Sequence, residues 1–252
     1  MTFLTKITSF IFLILVSQVY GQNLEQNPSL ENSTLLLPRL SYGLDIPLAD
    51  FSTRFGSHFN LGIQVGYLTK RNFYIQLGYN YLFGNNVQED VLSNLRTVEG
   101  GIIGRDMQFA DIVLRMRGSQ LSAQAGHLFP LGKQDHRKGI LVTAGVGVLQ
   151  HRVRIQDENA AVNQIVEPYG KGYDRLTEGI SLHQSIGYLY LSADRMANFY
   201  FGMTMMEGFT SSVREYNYNQ QLKDSQNRND LSIGFQIGWI IPIYLSSTTR
   251  YY

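Results

Sequence analysis

Alternation of apolar and polar side chains is the feature of this sequence that most restricts its fold. Across residues 59–67 the odd positions are Phe, Leu, Ile, Val and Tyr, and the even positions are Asn, Gly, Gln and Gly. The same pattern returns at 73–81, after the turn 69–72. Successive side chains of a strand point to opposite faces, so a period of two predicts β-strands.

The chemistry of the two faces favours a membrane barrel over a soluble sandwich. One face carries bulky aromatic and branched side chains, whereas the other carries glycine, amides and hydroxyls. An outer-membrane barrel turns apolar side chains to lipid and polar side chains to a narrow interior. We therefore expect an integral outer-membrane protein that crosses the bilayer with β-strands.

Eight stretches of the chain carry this alternation. They are 39–48, 59–67, 73–83, 109–128, 138–155, 176–191, 198–213 and 231–244. This count places the short connections at one end and the long ones at the other, as outer-membrane barrels do. Splitting 109–128 at Gly118 gives nine strands and breaks that segregation, and ten strands are an alternative. The predicted fold is all-β, an eight-stranded antiparallel transmembrane up-and-down β-barrel.

The two ends of the sequence lie outside the expected barrel. A short basic region, an apolar run at 7–16 and small residues before Gln22 are typical of a cleaved Sec signal peptide at 1–21. We expect a periplasmic segment at 22–35, the barrel at 36–245 and a periplasmic tail at 246–252. The aromatic end of this tail either lacks fixed structure or docks on a periplasmic partner.

Composition excludes several classes of function. The chain has no cysteine, which excludes disulfides, a lipoprotein anchor and thiol chemistry. A net charge of +1 gives no reason to expect a nucleic-acid partner. The acidic pairs Glu89-Asp90 and Asp157-Glu158 lack the spacing of a calcium loop, so we expect neither a metal nor a cofactor.

Polar residues on the inward face predict a hydrogen-bonded plug. An eight-stranded barrel is just wide enough for side chains to fill, and inward glycines leave room for amides. Buried polar groups need partners, so a self-satisfied network without a pore is expected. Its candidate members are Arg39, Asp45, Gln64, Gln76, Gln124, His183, Glu207 and Gln236. Glu207 falls on an outward position, which predicts a bulge near Met205-Met206 that turns it inward or to the rim.

The sequence offers one candidate catalytic site, because His183 shares a strand face with Ser181 and Ser185. No nucleophile signature surrounds these residues, so we expect an interior hydrogen-bonding role and no enzyme.

Cations at 152, 154, 171, 175 and 214 gather near the external end. They could contact phosphates of lipopolysaccharide, although the loops carry charges of both signs.

The long loop 84–108 is more apolar than a solvated loop needs to be. Its candidate partner-contact residues are Val91, Leu92, Leu95, Ile102 and Ile103. Such residues suit packing on a partner protein or on neighbouring loops. Under the first alternative, deleting 87–104 leaves the barrel folded and removes its partners.

The second half of the chain resembles small outer-membrane β-barrel proteins of Bacteroidota. The resemblance covers about 107–252 and rests on the segments 170–179, 186–188, 198–202, 238–244 and 250–252, together with Gly234. It implies protein secretion within a membrane protein complex, because similar barrels are accessory subunits of type 9 secretion or barrel-assembly machinery. The expected partners are outer-membrane lipids, lipopolysaccharide and other outer-membrane or periplasmic proteins. The alternative is a free-standing barrel that binds or modifies lipopolysaccharide or surface ligands.

Overall fold

The structure is a computed structural model that describes residues 33–131, 137–157, 161–192 and 197–245. Its strands are β1 Thr34–Leu48, β2 His58–Leu68, β3 Phe73–Gly84, β4 Ile112–Pro130, β5 Gly139–Asp157, β6 Thr177–Leu191, β7 Asn198–Ser212, β8 Asn227–Ile240 and β9 Ile243–Leu245. Within the described residues one α-helix, α1, spans Ala49–Arg54, and 3₁₀ turns lie at Ser93–Leu95, Asn163–Ile165 and Tyr169–Gly172. The expected signal peptide, most of the segment 22–35 and the tail 246–252 lie outside the described residues.

Strands β1 to β8 form a closed antiparallel ring. Each strand pairs with the next one in the chain, and β1 pairs with both β2 and β8. The prediction of an eight-stranded up-and-down barrel is confirmed. After β8 the ladder breaks near Pro242, which has no N–H to donate, and β9 then pairs with the first residues of β1.

The longest predicted strand is a single element. Gly118 of β4 pairs with Leu82 on one side and His151 on the other, so the ladder continues through it. Beyond the last β3–β4 pair at Gly84 and the last β5–β6 pair at Thr177, β4 and β5 have ladder pairs only with each other, and Val153 N donates to Asp174 O of the third external loop at 2.7 Å. This two-stranded extension rises above the rest of the rim.

The outer face of the ring is apolar over most of its height. Exposed side chains include Ile63, Leu77, Tyr79, Phe201 and Trp239. An apolar surface of this extent needs lipid to cover it, and a closed ring leaves no strand edge unpaired within the bilayer. The barrel therefore stands in the outer membrane with its strands across the bilayer. None of the helices in the described part of the chain has the length and apolar character of a membrane span.

The connections segregate by length as predicted. The short connections 69–72, 131–138 and 192–197 join strands at one end, and 49–57, 85–111, 158–176 and 213–226 join them at the other. Outer-membrane barrels place long loops outside the cell. The long-loop end is therefore the external end, and the short-turn end is periplasmic.

Two apolar layers lie inside the molecule, one near each end. The periplasmic apolar layer consists of Leu35, Leu37, Leu68, Tyr74, Leu128, Leu141, Leu189, Leu191, Tyr200 and Ile240. The external apolar layer consists of Phe51, Phe55, Leu82, Val91, Leu92, Ile102, Met116, Leu149, Val153, Val162, Ile165, Tyr173 and Met206. Polar side chains fill the middle of the barrel between them.

Candidate functional site

A buried cation organises the lower part of the polar interior. Arg39 donates from Nε to Gln64 Oε1 at 3.1 Å and from Nη2 to Gln76 Oε1 at 3.2 Å. The Tyr74 hydroxyl donates to the same Gln76 oxygen at 3.1 Å, and the guanidinium lies 4.3 Å from the ring centre of Tyr200. Two amide oxygens and an aromatic face therefore hold this charge inside the barrel.

Amides extend the network toward the external end. Gln64 Nε2 donates to Ser41 Oγ at 2.9 Å and to Asn80 Oδ1 at 3.1 Å. Gln236 Nε2 donates to the same Ser41 oxygen at 2.9 Å, and Asn80 Nδ2 donates to Gln120 Oε1 at 3.1 Å. Residues on β1, β2, β3, β4 and β8 thus share one chain of hydrogen bonds across the lumen.

Glycine at position 62 makes this arrangement possible. A Cβ atom there would lie 2.0 Å from Asn80 Oδ1 and 2.4 Å from Gln64 Nε2. Contacts that short are excluded by van der Waals repulsion, so any larger residue would displace the two amides.

His183 ends this chain of hydrogen bonds. Its Nδ1 lies 3.4 Å from Gln120 Nε2, and its Nε2 lies 2.9 Å from Ser181 Oγ. Ser181 is completely buried. This placement gives the hydroxyl a partner inside a filled lumen, and it offers no access for a lipid substrate.

Two further predicted residues lie apart from the Arg39 network. Gln124 is half-buried and binds Ser122 Oγ at 3.2 Å and Thr143 Oγ1 at 2.7 Å. Asp45 accepts from Asn60 Nδ2 at 2.7 Å, and His58 Nε2 lies 3.7 Å from its Oδ2. The lumen around these groups contains a cavity of about 40 Å³, room for roughly three water molecules.

Glu207 does not belong to the interior, and the predicted bulge is wrong. The register runs without interruption through Met206↔Ser232 and Glu207↔Leu231, so strand alternation keeps Glu207 on the outer face. Its Oε1 accepts from Asn229 Nδ2 at 3.0 Å. A charge is tolerated there because this part of β7 lies near the external rim and outside the hydrocarbon.

Several interior residues that take part in these contacts were not predicted from the sequence. They are Ser41, Asn60, Tyr74, Asn80, Gln120 and Tyr200. All have inward parity on their strands, which is the signal that could have identified them. Their choice of partners depends on the stagger between strands, which alternation alone does not give.

The two apolar layers close the lumen at both ends. We therefore expect the purified protein to give no steady ion conductance in planar lipid bilayers, because a water column cannot pass either layer. Deleting 87–104 removes Val91, Leu92 and Ile102 from the external layer but leaves the periplasmic layer intact. The deletion variant should also stay silent, and steady single-channel currents from either protein would contradict the closed interior.

A buried bridge ties the external cap, which consists of the described external loops 49–57, 85–111, 161–176 and 213–226, to the rim. His151 on β5 donates through Nε2 to Asp230 Oδ2 on β8 at 2.8 Å, and Thr210 Oγ1 donates to the same oxygen. β5 and β8 are not neighbours in the ring, so the bridge crosses the lumen. The rings of Phe51 and Phe55 lie 5.0 Å and 5.4 Å from the His151 ring. The first external loop is thereby packed onto the bridge.

One carboxylate holds two buried guanidinium groups in the cap. Glu89 accepts from Arg54 Nε at 2.9 Å and from Arg175 Nε at 2.8 Å. Arg54 also donates to Thr177 Oγ1 at 2.8 Å. Burial lowers the pKa of the Arg54 guanidinium below its ordinary value, and the charge of Glu89 opposes that shift. The first, second and third external loops are therefore joined at Glu89.

The candidate partner-contact residues mostly pack inside the molecule. Val91, Leu92 and Ile102 are buried in the external apolar layer, and Leu95 packs against it. Only Ile103 is exposed, with 53% of its surface accessible. The prediction that these residues form an external partner surface is wrong for the buried ones, because neighbouring loops cover them.

A different apolar surface is exposed on the same loop. Residues 102–110 form a hairpin in which Ile103 bridges to Phe109, and Gly104 N donates to Gln108 O at 2.8 Å. Ile103, Met107 and Phe109 project from this external hairpin, with Met107 89% exposed. Arg105 N donates to Ala161 O at 2.8 Å, which fixes the hairpin to the third external loop.

The described residues contain no cluster of three or more metal-ligating side chains. No family model matches the chain, and no curated protein matches it.

Solved structures of similar fold are small barrels. Neisserial surface protein A (NspA) is 11% identical, with 82% of this chain and 96% of that one covered and a TM-score of 0.45. OprG from Pseudomonas aeruginosa is 13% identical over 85% of this chain and 97% of its own, with a TM-score of 0.42. Ail of Yersinia pestis, in complex with the heparin analogue sucrose octasulfate, is 7% identical over 83% and 99%, with a TM-score of 0.40. Likenesses this weak carry no argument about function.

Proposed function

We propose that this chain is a non-enzymatic accessory subunit of an outer-membrane protein export or assembly complex. The observation that carries the proposal is a lumen closed by two apolar layers beside an external hairpin that exposes apolar side chains. A closed lumen conducts nothing, so the protein must act through its surfaces. The resemblance of 107–252 to accessory barrels of Bacteroidota supports the same role.

The external hairpin is the surface best suited to a protein partner. Its apolar side chains are presented on a hairpin that backbone hydrogen bonds hold in one conformation. Little conformational entropy is then lost on binding, which favours association. Ile103, Met107 and Phe109 lie outside the external apolar layer, so the cap does not need them for its own packing.

The test is co-purification from native outer membranes in mild detergent. We expect wild-type protein to retain other outer-membrane subunits in fixed proportion, and the variant I103S/M107S/F109S to lose them because its apolar contact surface is gone. The matched control V166S/L222S removes exposed apolar residues from the third and fourth external loops and should retain the subunits. A monomeric wild-type protein, or equal retention by all three proteins, would contradict the proposal.

A second candidate function is supported by a different observation. Four arginines face outward at the external end of β4 and β5, which suits a barrel that binds lipopolysaccharide. This candidate does not need catalysis, and the buried placement of His183 and Ser181 favours binding over modification.

A further inference from the structure

Four arginines form a two-by-two grid on the outer face of β4 and β5. Arg115 lies directly opposite Arg154, and Arg117 lies directly opposite Arg152. Met116 and Val153, the residues between them, are buried in the external apolar layer, so the arginines have outward parity. We call Arg115, Arg117, Arg152 and Arg154 the arginine quartet.

The quartet has little counter-charge within the chain. Among the described residues its one ion pair is Arg152 Nη1 to Asp174 Oδ2 at 3.9 Å, and Arg214 already binds both oxygens of that carboxylate. Arg117 donates to the backbone oxygen of Met116 at 2.6 Å. Arg115 Nε is buried and has no hydrogen-bond partner in the described part of the chain. Like charges directly opposite on paired strands repel each other, so this arrangement calls for an anion between them.

The height of the quartet matches the headgroups of the outer leaflet. Arg117 precedes Phe129, an exposed aromatic residue near the periplasmic end of β4, by twelve residues. At ~3.3 Å per residue and a tilt near 40°, Arg117 stands about 30 Å above Phe129. The apolar band of such a barrel is about 25 Å tall, so the quartet lies just beyond the hydrocarbon.

An open groove lies at the base of the quartet. It has a volume of about 470 Å³, and Tyr79, Tyr81, Ser119, Gln150 and three of the four arginines line it. The tyrosines sit at the level where aromatic rings favour the membrane interface. Glu178 on β6 lies at the edge of this groove, and Gln150 Nε2 donates to Glu178 Oε2 at 3.4 Å. The groove therefore offers apolar contact below and cationic donors above.

We propose that the arginine quartet binds the phosphate groups of lipopolysaccharide in the outer leaflet. Planar guanidinium groups pair with phosphate oxygens through two parallel hydrogen bonds, and two facing pairs can hold a phosphate between them. The acyl chains of the same lipid would lie along the apolar face of β4 and β5 below the groove. This site goes beyond the accessory role, because it requires only that the barrel stands in an outer leaflet that contains such lipids.

The test compares R117Q/R152Q with wild type for binding of purified lipid A that carries both phosphates. The variant should bind at least about tenfold more weakly, because it loses charge-assisted hydrogen bonds to phosphate. The control K70Q/K223Q removes two exposed positive charges away from the quartet, one in the periplasmic turn 69–72 and one in the fourth external loop, and should bind like wild type. Dephosphorylated lipid A should bind wild type as weakly as intact lipid A binds the variant.

Two further measurements distinguish a lipid site from a site for a soluble anion and from a structural role of the arginines. Inorganic phosphate added in excess should not displace lipid A, and full displacement would overturn a lipid site in favour of a soluble anion.

Without lipid A, R117Q/R152Q should melt at the same or a higher temperature than wild type, because repulsion between like charges is relieved. Adding lipid A should raise the Tm of wild type more than that of the variant. Equal affinity of the two proteins, or a lower Tm of the lipid-free variant, would also overturn the proposal.

Discussion

Replacing Glu89 by Gln is expected to loosen the external cap while the barrel stays folded in the membrane. The substitution removes the one carboxylate that contacts both Arg54 and Arg175, each of which is at least nine-tenths buried. Breaking a buried ion pair from one side typically costs about 3 kcal/mol or more, because the remaining charge is left without compensation. Here two guanidinium groups lose their charged partner at once.

The readout is limited proteolysis of the protein in liposomes, with cleavage sites identified by mass spectrometry. A cost of that size raises the open population of the cap by about 100-fold, and cleavage follows this population when the cap opens and closes rapidly. Cuts should appear in 85–111 and 161–176, whereas the strands stay protected. Asp90→Asn is the matched control, because the Asp90–Arg96 pair is exposed and such pairs contribute about 1 kcal/mol or less. Equal cleavage of the two variants would show that Glu89 does not hold the loops.

Replacing Asp230 by Ala is expected to destabilise the barrel itself. The carboxylate accepts from His151 and Thr210 across the lumen, and all three side chains are almost fully buried. His151 Nδ1 has no other partner among the described residues, so the substitution leaves the whole ring without a hydrogen bond. We expect a loss of about 3 kcal/mol in the free energy of unfolding.

Urea unfolding in liposomes measures this loss through the single tryptophan, Trp239, which faces lipid on β8. The midpoint should fall while the slope against urea concentration stays the same, because the folded state keeps its buried surface. Glu207→Gln is the control. Glu207 pairs across the strands with Leu231, next to Asp230, but it lies at the rim, so its loss should cost about 1 kcal/mol or less. A large effect at Glu207 with none at Asp230 would contradict the orientation of both side chains.

Alternation was sufficient to predict the ring because each strand meets lipid on one face and a polar lumen on the other. It failed where that contrast is missing. β1 begins at Thr34, five residues before the predicted strand, and Leu35, Leu36 and Leu37 are apolar on both faces. The periplasmic apolar layer fills the lumen with leucine at this level, so inside and outside look alike in the sequence.

The predicted bulge at Glu207 is wrong because the prediction considered the charge of the side chain and not its height along the strand. An outward charge predicts a bulge, yet the β7–β8 register is uninterrupted at Glu207. The charge is instead accommodated by its height along the strand, near the external rim. Sequence parity gives the face of a residue, whereas its height depends on where the bilayer lies.

The apolar loop residues illustrate a different limit. The apolar character of Val91 and Leu92 predicts that other residues pack on them. In the structure these residues come from loops far away in the chain and include Phe51 and Tyr173. A single sequence does not reveal which surfaces meet after folding. For the same reason, the sequence analysis identifies only Arg152 and Arg154 of the arginine quartet. That Arg115 lies opposite Arg154, and Arg117 opposite Arg152, follows from the strand register.

The unequal strand lengths make two adjoining sides of the barrel differ in height at the external end. β4 and β5 have 19 residues each, whereas β2 has 11 and β3 has 12. Because β3 pairs with residues 116–127 of β4, four residues of β4 extend beyond β3 at the external end, which is about 13 Å along the strand at ~3.3 Å per residue. A neighbouring protein therefore meets the taller β4–β5 extension on one side of the barrel and the lower β2–β3 strands on the adjoining side. Contacts made above the bilayer are therefore directional, and crosslinks from the extension and from the β2–β3 side should capture different neighbours.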